Sequence, residues 1–151
     1  MRKPLVAVSM VLLAMALAAA SEQAEVMAPV HQFVDGFNKG DINSALATCA
    51  DQVSVIDEFP PYQWSGPGAC STWAQAYDAD SKKNGVTDGQ VTLGKPRHID
   101  ITADRAYVVV PANYTWKQNG KPMKEVGSTL TVALQKTASG WRITSWSWSK
   151  Q

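Results

Sequence analysis

Histidine, cysteine and blocks of charge are what this sequence has least of. Only two His and two Cys occur in 151 residues. No cluster of His, Cys and carboxylates has metal-ligand spacing, and two thiols without a nearby pair of His supply too few ligands for zinc. No metal and no cofactor are therefore expected. His31 and His98 each stand alone as candidate general bases, and no nucleophile elbow accompanies them, which argues against a Ser-His-Asp hydrolase. No run of like charges extends beyond a pair such as Lys82-Lys83. The 14 basic and 13 acidic residues nearly balance, so neither nucleic acid nor an anionic membrane is expected as partner. No internal repeat or low-complexity segment breaks the chain.

One long apolar run is present, at the start. Arg2 and Lys3 precede an uncharged stretch from Leu5 to Leu17, and Ala18-Ala19-Ala20 follows. A basic start, a short apolar core and small residues form the pattern of a cleaved export signal. The expectation is a signal over residues 1–20 and a single domain over 21–151, periplasmic or secreted. Losing Arg2 and Lys3 leaves the remainder slightly acidic and without a membrane anchor. Export would permit a disulfide between Cys49 and Cys70. Both cysteines also occupy apolar helix positions, where a free thiol is ordinary.

Helical periodicity comes first. Val26, Met27, Val30, Phe33, Val34 and Phe37 recur at spacings of three and four, the mark of one buried stripe. Pro29 belongs in a first turn, so the helix is expected to begin near Met27 or Ala28 after a frayed lead-in over Ser21–Glu25. Lys39 and Gly40 signal its end, and Gly36 within it implies close packing. Asp41 caps a short second helix expected to run through Ala50. Pro67 opens a third, whose inward stripe is Cys70, Trp73, Ala74 and Tyr77.

After Gly89 the period changes to two. Strands are expected over Val91–Ile101, bent at Pro96, then Ala106–Lys117, Glu125–Lys136 and Trp141–Ser149. Asn119-Gly120 is a strong hairpin signal, because both central positions of that turn favour positive φ. A short pair, Val53–Phe59 and Tyr62–Ser65, precedes the third helix. Segregated helices over an antiparallel sheet define an α+β fold. A curved sheet wrapped around the first helix would leave a cone with an apolar interior.

In the first short strand Val53, Val55, Asp57 and Phe59 share a face. Asp57 is thus either a strand-end carboxylate facing water or an acid set in an apolar wall, where desolvation would tune it for general-base work. Phe33, Phe37, Tyr62, Trp64, Trp73, Tyr114 and Trp116 are candidate ligand-lining aromatics. Thr131 and its neighbour Thr129 offer hydroxyls. If Ile143, Ser145 and Ser147 face the cavity, Trp146 and Trp148 lie outside and form a protein interface.

Asn38-Lys39-Gly40-Asp41, Ala50-Asp51, Val55-Ile56-Asp57 and the helix-opening Ser65-Gly66 resemble the nuclear transport factor 2-like superfamily. Within it the pattern is most similar to ketosteroid isomerase and the SnoaL-like cyclases. The resemblance covers the whole region after residue 20. It implies a cone-shaped, cystatin-like roll of three helices on a curved antiparallel sheet, often homodimeric. It places Asp57 at the isomerase's general-base position. Phe33 stands where that enzyme has an oxyanion-hole Tyr, and Thr129–Val132 hold no acid where it has its second donor. Losing one such donor typically costs about a hundred- to a thousand-fold in rate, so steroid isomerisation is not expected. The leading expectation is a small apolar or aromatic ligand in the cone. An isomerase, lyase or cyclase using Asp57 is the alternative, and a non-catalytic protein-binding module the third.

Overall fold

The structure, a computed structural model, describes residues 5–151, with side chains from Met15 onward. Arg2 and Lys3, the basic start of the expected signal, lie outside the described residues. No described helix is long and apolar enough to cross a membrane.

The first helix, α1, spans Leu5–Lys39 and does not begin near Met27 or Ala28 as expected. Residues Ser21–Glu25 are helical, not frayed. The cause is the run of Ala, Leu, Met, Glu and Gln upstream, strong helix formers that carry the helix through a proline. Pro29 removes one hydrogen bond to the carbonyl four residues back, and the buried stripe holds the helix together there. Val26, Met27, Val30, Phe33 and Val34 are all buried. Gly36 is where α1 meets the next element: a Cβ there would lie 2.7 Å from the backbone nitrogen of Ala45.

α2 covers Ile42–Leu46, with Asp41 accepting from the Ser44 N–H at 3.1 Å. It stops short of Ala50, because Thr48 Oγ1 donates to the Ala45 carbonyl at 2.7 Å and the chain turns. Cys49 therefore opens β1, Cys49–Ile56, instead of closing a helix. β2 is Gln63–Pro67. Pro67 ends that strand, and Gly68, at φ 69°, leads into α3, Ala69–Asn84. Gly85 terminates α3 in the left-handed region, φ 65°, and β3, Val86–Leu93, starts at once. The expected bent strand through Pro96 is two strands, β3 and β4, the latter His98–Thr102. Both pair with β5, Arg105–Gln118. Pro96 cannot donate to a ladder, and hydrogen bonds from Gly94 N and Arg97 N to β5 carry the sheet across the gap. β6 is Lys121–Thr137 and β7 Gly140–Ser149. Asn119 and Gly120 both take positive φ at the hairpin tip, as expected.

The sheet order is β2-β1-β7-β6-β5-β3, with β4 on β5. All pairs are antiparallel except β1 with β7, which is parallel, so the sheet is mixed. α1 and α3 pack on its concave face, around Val55, Val108, Val110, Val132, Leu134 and Ile143, each essentially inaccessible.

Two β-bulges decide which side chains face inward. On β7 the register slips between Ser145, opposite Ala133, and Ile143, opposite Leu134. One extra residue reverses the alternation. Trp141 and Ile143 face the core, and beyond the bulge so do Trp146 and Trp148, while Ser145 and Ser147 face out. The expectation of outward tryptophans fails for this reason: Trp146 is 4% exposed. On β6 a second slip lies between the partners of Ala112 and Tyr114, where Ser128 and Glu125 stand opposite them. It turns Glu125 to the concave side. Gly127, at φ 82°, sits in that bulge, and its N–H donates to Asn113 Oδ1 at 3.0 Å.

Candidate functional site

Where α1, α3 and the bulged ends of β6 and β7 converge, the core does not close. A cavity of about 90 Å³ remains. Phe33 and Phe37 of α1, Trp73 and Tyr77 of α3, Tyr114 of β5, and Trp146 and Trp148 of β7 line it with Leu130 and Val91. Asp57, Glu58 and Phe59, just beyond β1, complete the wall. Phe37, Trp73 and Tyr77 also border a wider cleft of about 810 Å³ between the ends of α1 and α3.

Asp57 is held on both oxygens. Oδ2 accepts from Trp73 Nε1 at 2.8 Å and Oδ1 from the Glu58 N–H at 2.7 Å. The Cys49–Cys70 disulfide is formed and ties β1 to α3. Trp73 lies one helical turn beyond Cys70, so this tie presents its indole to Asp57. Burial pushes the Asp57 carboxyl above its ordinary value of 3.8, against the pull of those two donors. The Glu125 charge pushes the same way.

Glu58 is also raised, by burial first and by the neighbouring Glu125 carboxylate, while Lys150 opposes both. Lys150 Nζ lies 3.0 Å from Glu58 Oε2. Glu125 loses solvation too, yet donors from Ser128 Oγ and Trp148 Nε1 leave it below its ordinary value. The Trp148 bond is 2.8 Å long. Across the cavity the hydroxyls of Tyr77 and Tyr114 are 2.6 Å apart. Burial, then this contact, keeps the Tyr114 phenol neutral far above the ordinary range. Gly89 makes room for the pair: a Cβ there would stand 2.8 Å from each hydroxyl oxygen. Trp146 Nε1 is buried without a hydrogen-bond partner.

Phe33, Phe37, Trp73 and Tyr114 thus line the cavity with Asp57, as the sequence suggests. Four other candidates do not. Tyr62 is 55% exposed, in the turn after Asp57. Trp64 is buried behind the wall against Phe59, with ring centroids 5.0 Å apart. Trp116 stacks on the far side of Tyr114 at 4.8 Å and borders a surface hollow with Met123 and Lys124. Thr131 lies between Val109 and Ser147 on the convex face, because Leu130 and Val132 take the concave one. His31 and His98 are exposed. Trp146 and Trp148 belong to the cavity and not to an outer interface. Glu58, Glu125 and Tyr77 are the additions. Tyr77 was legible from its place in the α3 stripe; Glu125 was not, since only the bulge turns it inward. Among the described residues no group of three or more His, Cys, Asp or Glu is placed to hold a metal ion.

A curved sheet folded over a long helix, with an acid in an aromatic hollow, defines the cystatin-like roll of the nuclear transport factor 2 class. Within that class the chain belongs to the SnoaL-like domain family, whose pattern matches residues 26–150. Solved structures agree on the fold. A ketosteroid isomerase-like protein from Erwinia carotovora atroseptica is 22% identical with a TM-score of 0.67, over 85% of this chain and 95% of that one. A nuclear transport factor 2-like superfamily protein from Salmonella enterica serovar Typhimurium gives 16% and 0.73, over 87% and 92%. A cystatin-fold protein from Novosphingobium aromaticivorans gives 14% and 0.71, over 91% and 87%. No curated protein matches the chain.

Proposed function

We propose that this protein is an exported SnoaL-like domain that binds a small apolar or aromatic molecule in the cavity beside Asp57. The observation that carries the reading is an aromatic hollow of about 90 Å³ that the side chains around Asp57 leave open. Four of its rings, Trp73, Tyr77, Tyr114 and Trp148, are pinned by polar contacts and do not collapse inward. The volume is well below the roughly 300 Å³ at which drug-sized pockets begin, which favours a compact ligand. A module with a side-chain-filled cone would leave no such space. The test is a titration with phenol, followed through the indole N–H signals of Trp73, Trp146 and Trp148 in ¹⁵N–¹H spectra. Saturating shifts confined to these signals support the reading. Unchanged spectra at millimolar phenol would remove it.

A second reading, proton-transfer catalysis with Asp57 as base, draws on the tyrosine pair. In Tyr77 and Tyr114 one hydroxyl donates to the other, which leaves one O–H proton of the pair to stabilise a developing oxyanion. These donors sit on α3 and β5, away from the isomerase position occupied by Phe33. Deuterium exchange at the α-carbon of cyclohexanone tests it. The expected result is exchange above buffer that falls about a hundred-fold or more in Tyr114→Phe. Exchange no faster than buffer would end this reading.

Export is supported by the Arg2-Lys3 start, the apolar run, the small residues before Ser21 and the disulfide. Cleavage there would leave the buried stripe whole, since it begins at Val26. An intact mass beginning at Ser21 in the periplasmic fraction is expected. A homodimer is also proposed, through the convex face that exposes Ile56 and Tyr107. A monomer mass by light scattering at micromolar concentration would contradict it.

A further inference from the structure

The polar end of the cavity already attracts an ammonium group. Lys150 lies just past β7, its side chain 58% exposed and its Nζ 3.0 Å from Glu58 Oε2. Glu125 and Asp57 act on it through space as well, and it holds its proton more tightly than an ordinary lysine. Glu58 thus pairs directly with the cation, and the charges of Glu125 and Asp57 reach it through space, beside a hollow walled by indoles. Trp73 and Trp146 meet edge to face, centroids 4.8 Å apart and planes at 90°, which makes a corner and not a stack. Indole faces are the best side-chain π surfaces for a cation, and the attraction grows as water is excluded. An anion would meet the same carboxylates at close range and be repelled. A neutral hydrophobe would satisfy the rings and leave the excess negative charge unanswered.

We propose that the cavity binds a compact organic ammonium ion, its alkylated nitrogen among Trp73, Trp146 and Trp148 and its charge answered by Asp57 and Glu58, with Lys150 as the tethered cation it displaces. This rests on the small-molecule reading above and names the ligand class. A hollow of about 90 Å³ suits a trimethylammonium-sized group and not an extended molecule. The other polar neighbours do not oppose it: Glu125 adds negative charge, and the Tyr77–Tyr114 pair presents hydroxyl oxygens.

The probes are choline and its neutral isostere 3,3-dimethylbutan-1-ol, in which carbon replaces the charged nitrogen. Binding to the full chain is read by tryptophan fluorescence and calorimetry. Choline is expected to bind about tenfold tighter than the alcohol. Lys150→Met, at an exposed position that leaves the fold intact, is expected to raise choline affinity several-fold and leave the alcohol unchanged. Glu58→Gln should weaken choline alone. Equal affinity for the two probes, or weaker choline binding in Lys150→Met, overturns the inference while the small-molecule reading stands. Absence of choline binding at millimolar concentration overturns the inference, and the phenol titration then decides the small-molecule reading by itself.

Discussion

Along α1 the core-facing residues change from Val26 and Val30 to Phe33 and the partly buried Phe37, and the sheet changes with them. At one end of the concave face Val108, Val132, Leu134 and Ile143 are essentially inaccessible. At the other end Tyr114, Trp146 and Trp148 border an open volume. Both ends are apolar, yet only one is full. Aliphatic side chains have no polar atom to satisfy and settle wherever dispersion contacts are densest. Four of the rings at the other end are held by polar handles: Trp73 by Asp57, Trp148 by Glu125, and Tyr77 and Tyr114 by each other. A ring fixed at its polar edge cannot slide into the hole beside it. The hollow is thus a consequence of where the hydrogen bonds are, and the half-buried acids follow from the same arrangement.

The comparison can be broken most severely at the bulge. Deleting Thr144 and Ser145 together removes the whole bulged outward slot on β7, which would turn Trp146 and Trp148 outward and Ser147 inward. The expected outcome is loss of the cooperative fold, read as a missing near-ultraviolet dichroism band; a folded variant with native tryptophan signals would contradict this. Next in size is Leu134→Ala in the filled end. A new cavity there should cost about 2–5 kcal/mol by urea denaturation, with probe binding at the far end unchanged. Trp73→Phe keeps most of the ring and removes the handle. It should cost about 2 kcal/mol, the scale of a hydrogen bond to a charged group, and raise the Asp57 proton affinity further.

The smallest effect is one of pH. The Asp57 carboxyl is raised in the folded protein, so the folded state holds that proton more tightly than the unfolded chain. Its stabilising contribution is present below 3.8 and lost as pH rises through the folded value. Asp57→Asn does not titrate. Its amide has one acceptor oxygen for the two donors, Trp73 Nε1 and Glu58 N–H, which costs a constant amount at every pH. The wild type should therefore lose stability relative to this variant as pH rises from 3.8 through the higher folded value. A flat difference in urea denaturation would show that the acid is not desolvated.

Periodicity alone made much of this fold legible. The α1 stripe, the α3 stripe through Cys70, Trp73, Ala74 and Tyr77, and the Asn119-Gly120 hairpin all stand where the residues put them. Asp57 was legible too, since Val53 and Val55 mark its strand face. What escaped was parity. A bulge adds one residue and leaves no mark in hydrophobic alternation, so Trp146 and Trp148 read as facing the wrong way and Glu125 was not picked out at all. The start of α1 escaped because Pro29 is a strong local signal that its alanine-rich neighbours override. The end of α2 escaped because Thr48 closes it with a side-chain hydrogen bond to Ala45.

The central claim is that the pinned aromatic end withdraws Asp57 from water, and a carboxyl-detected NMR titration of the full chain tests it most directly. The account predicts that the Asp57 side chain takes up its proton above 3.8, with the Trp73 indole N–H signal moving in the same transition. A midpoint at or below 3.8, or a Trp73 signal indifferent to it, would contradict the account.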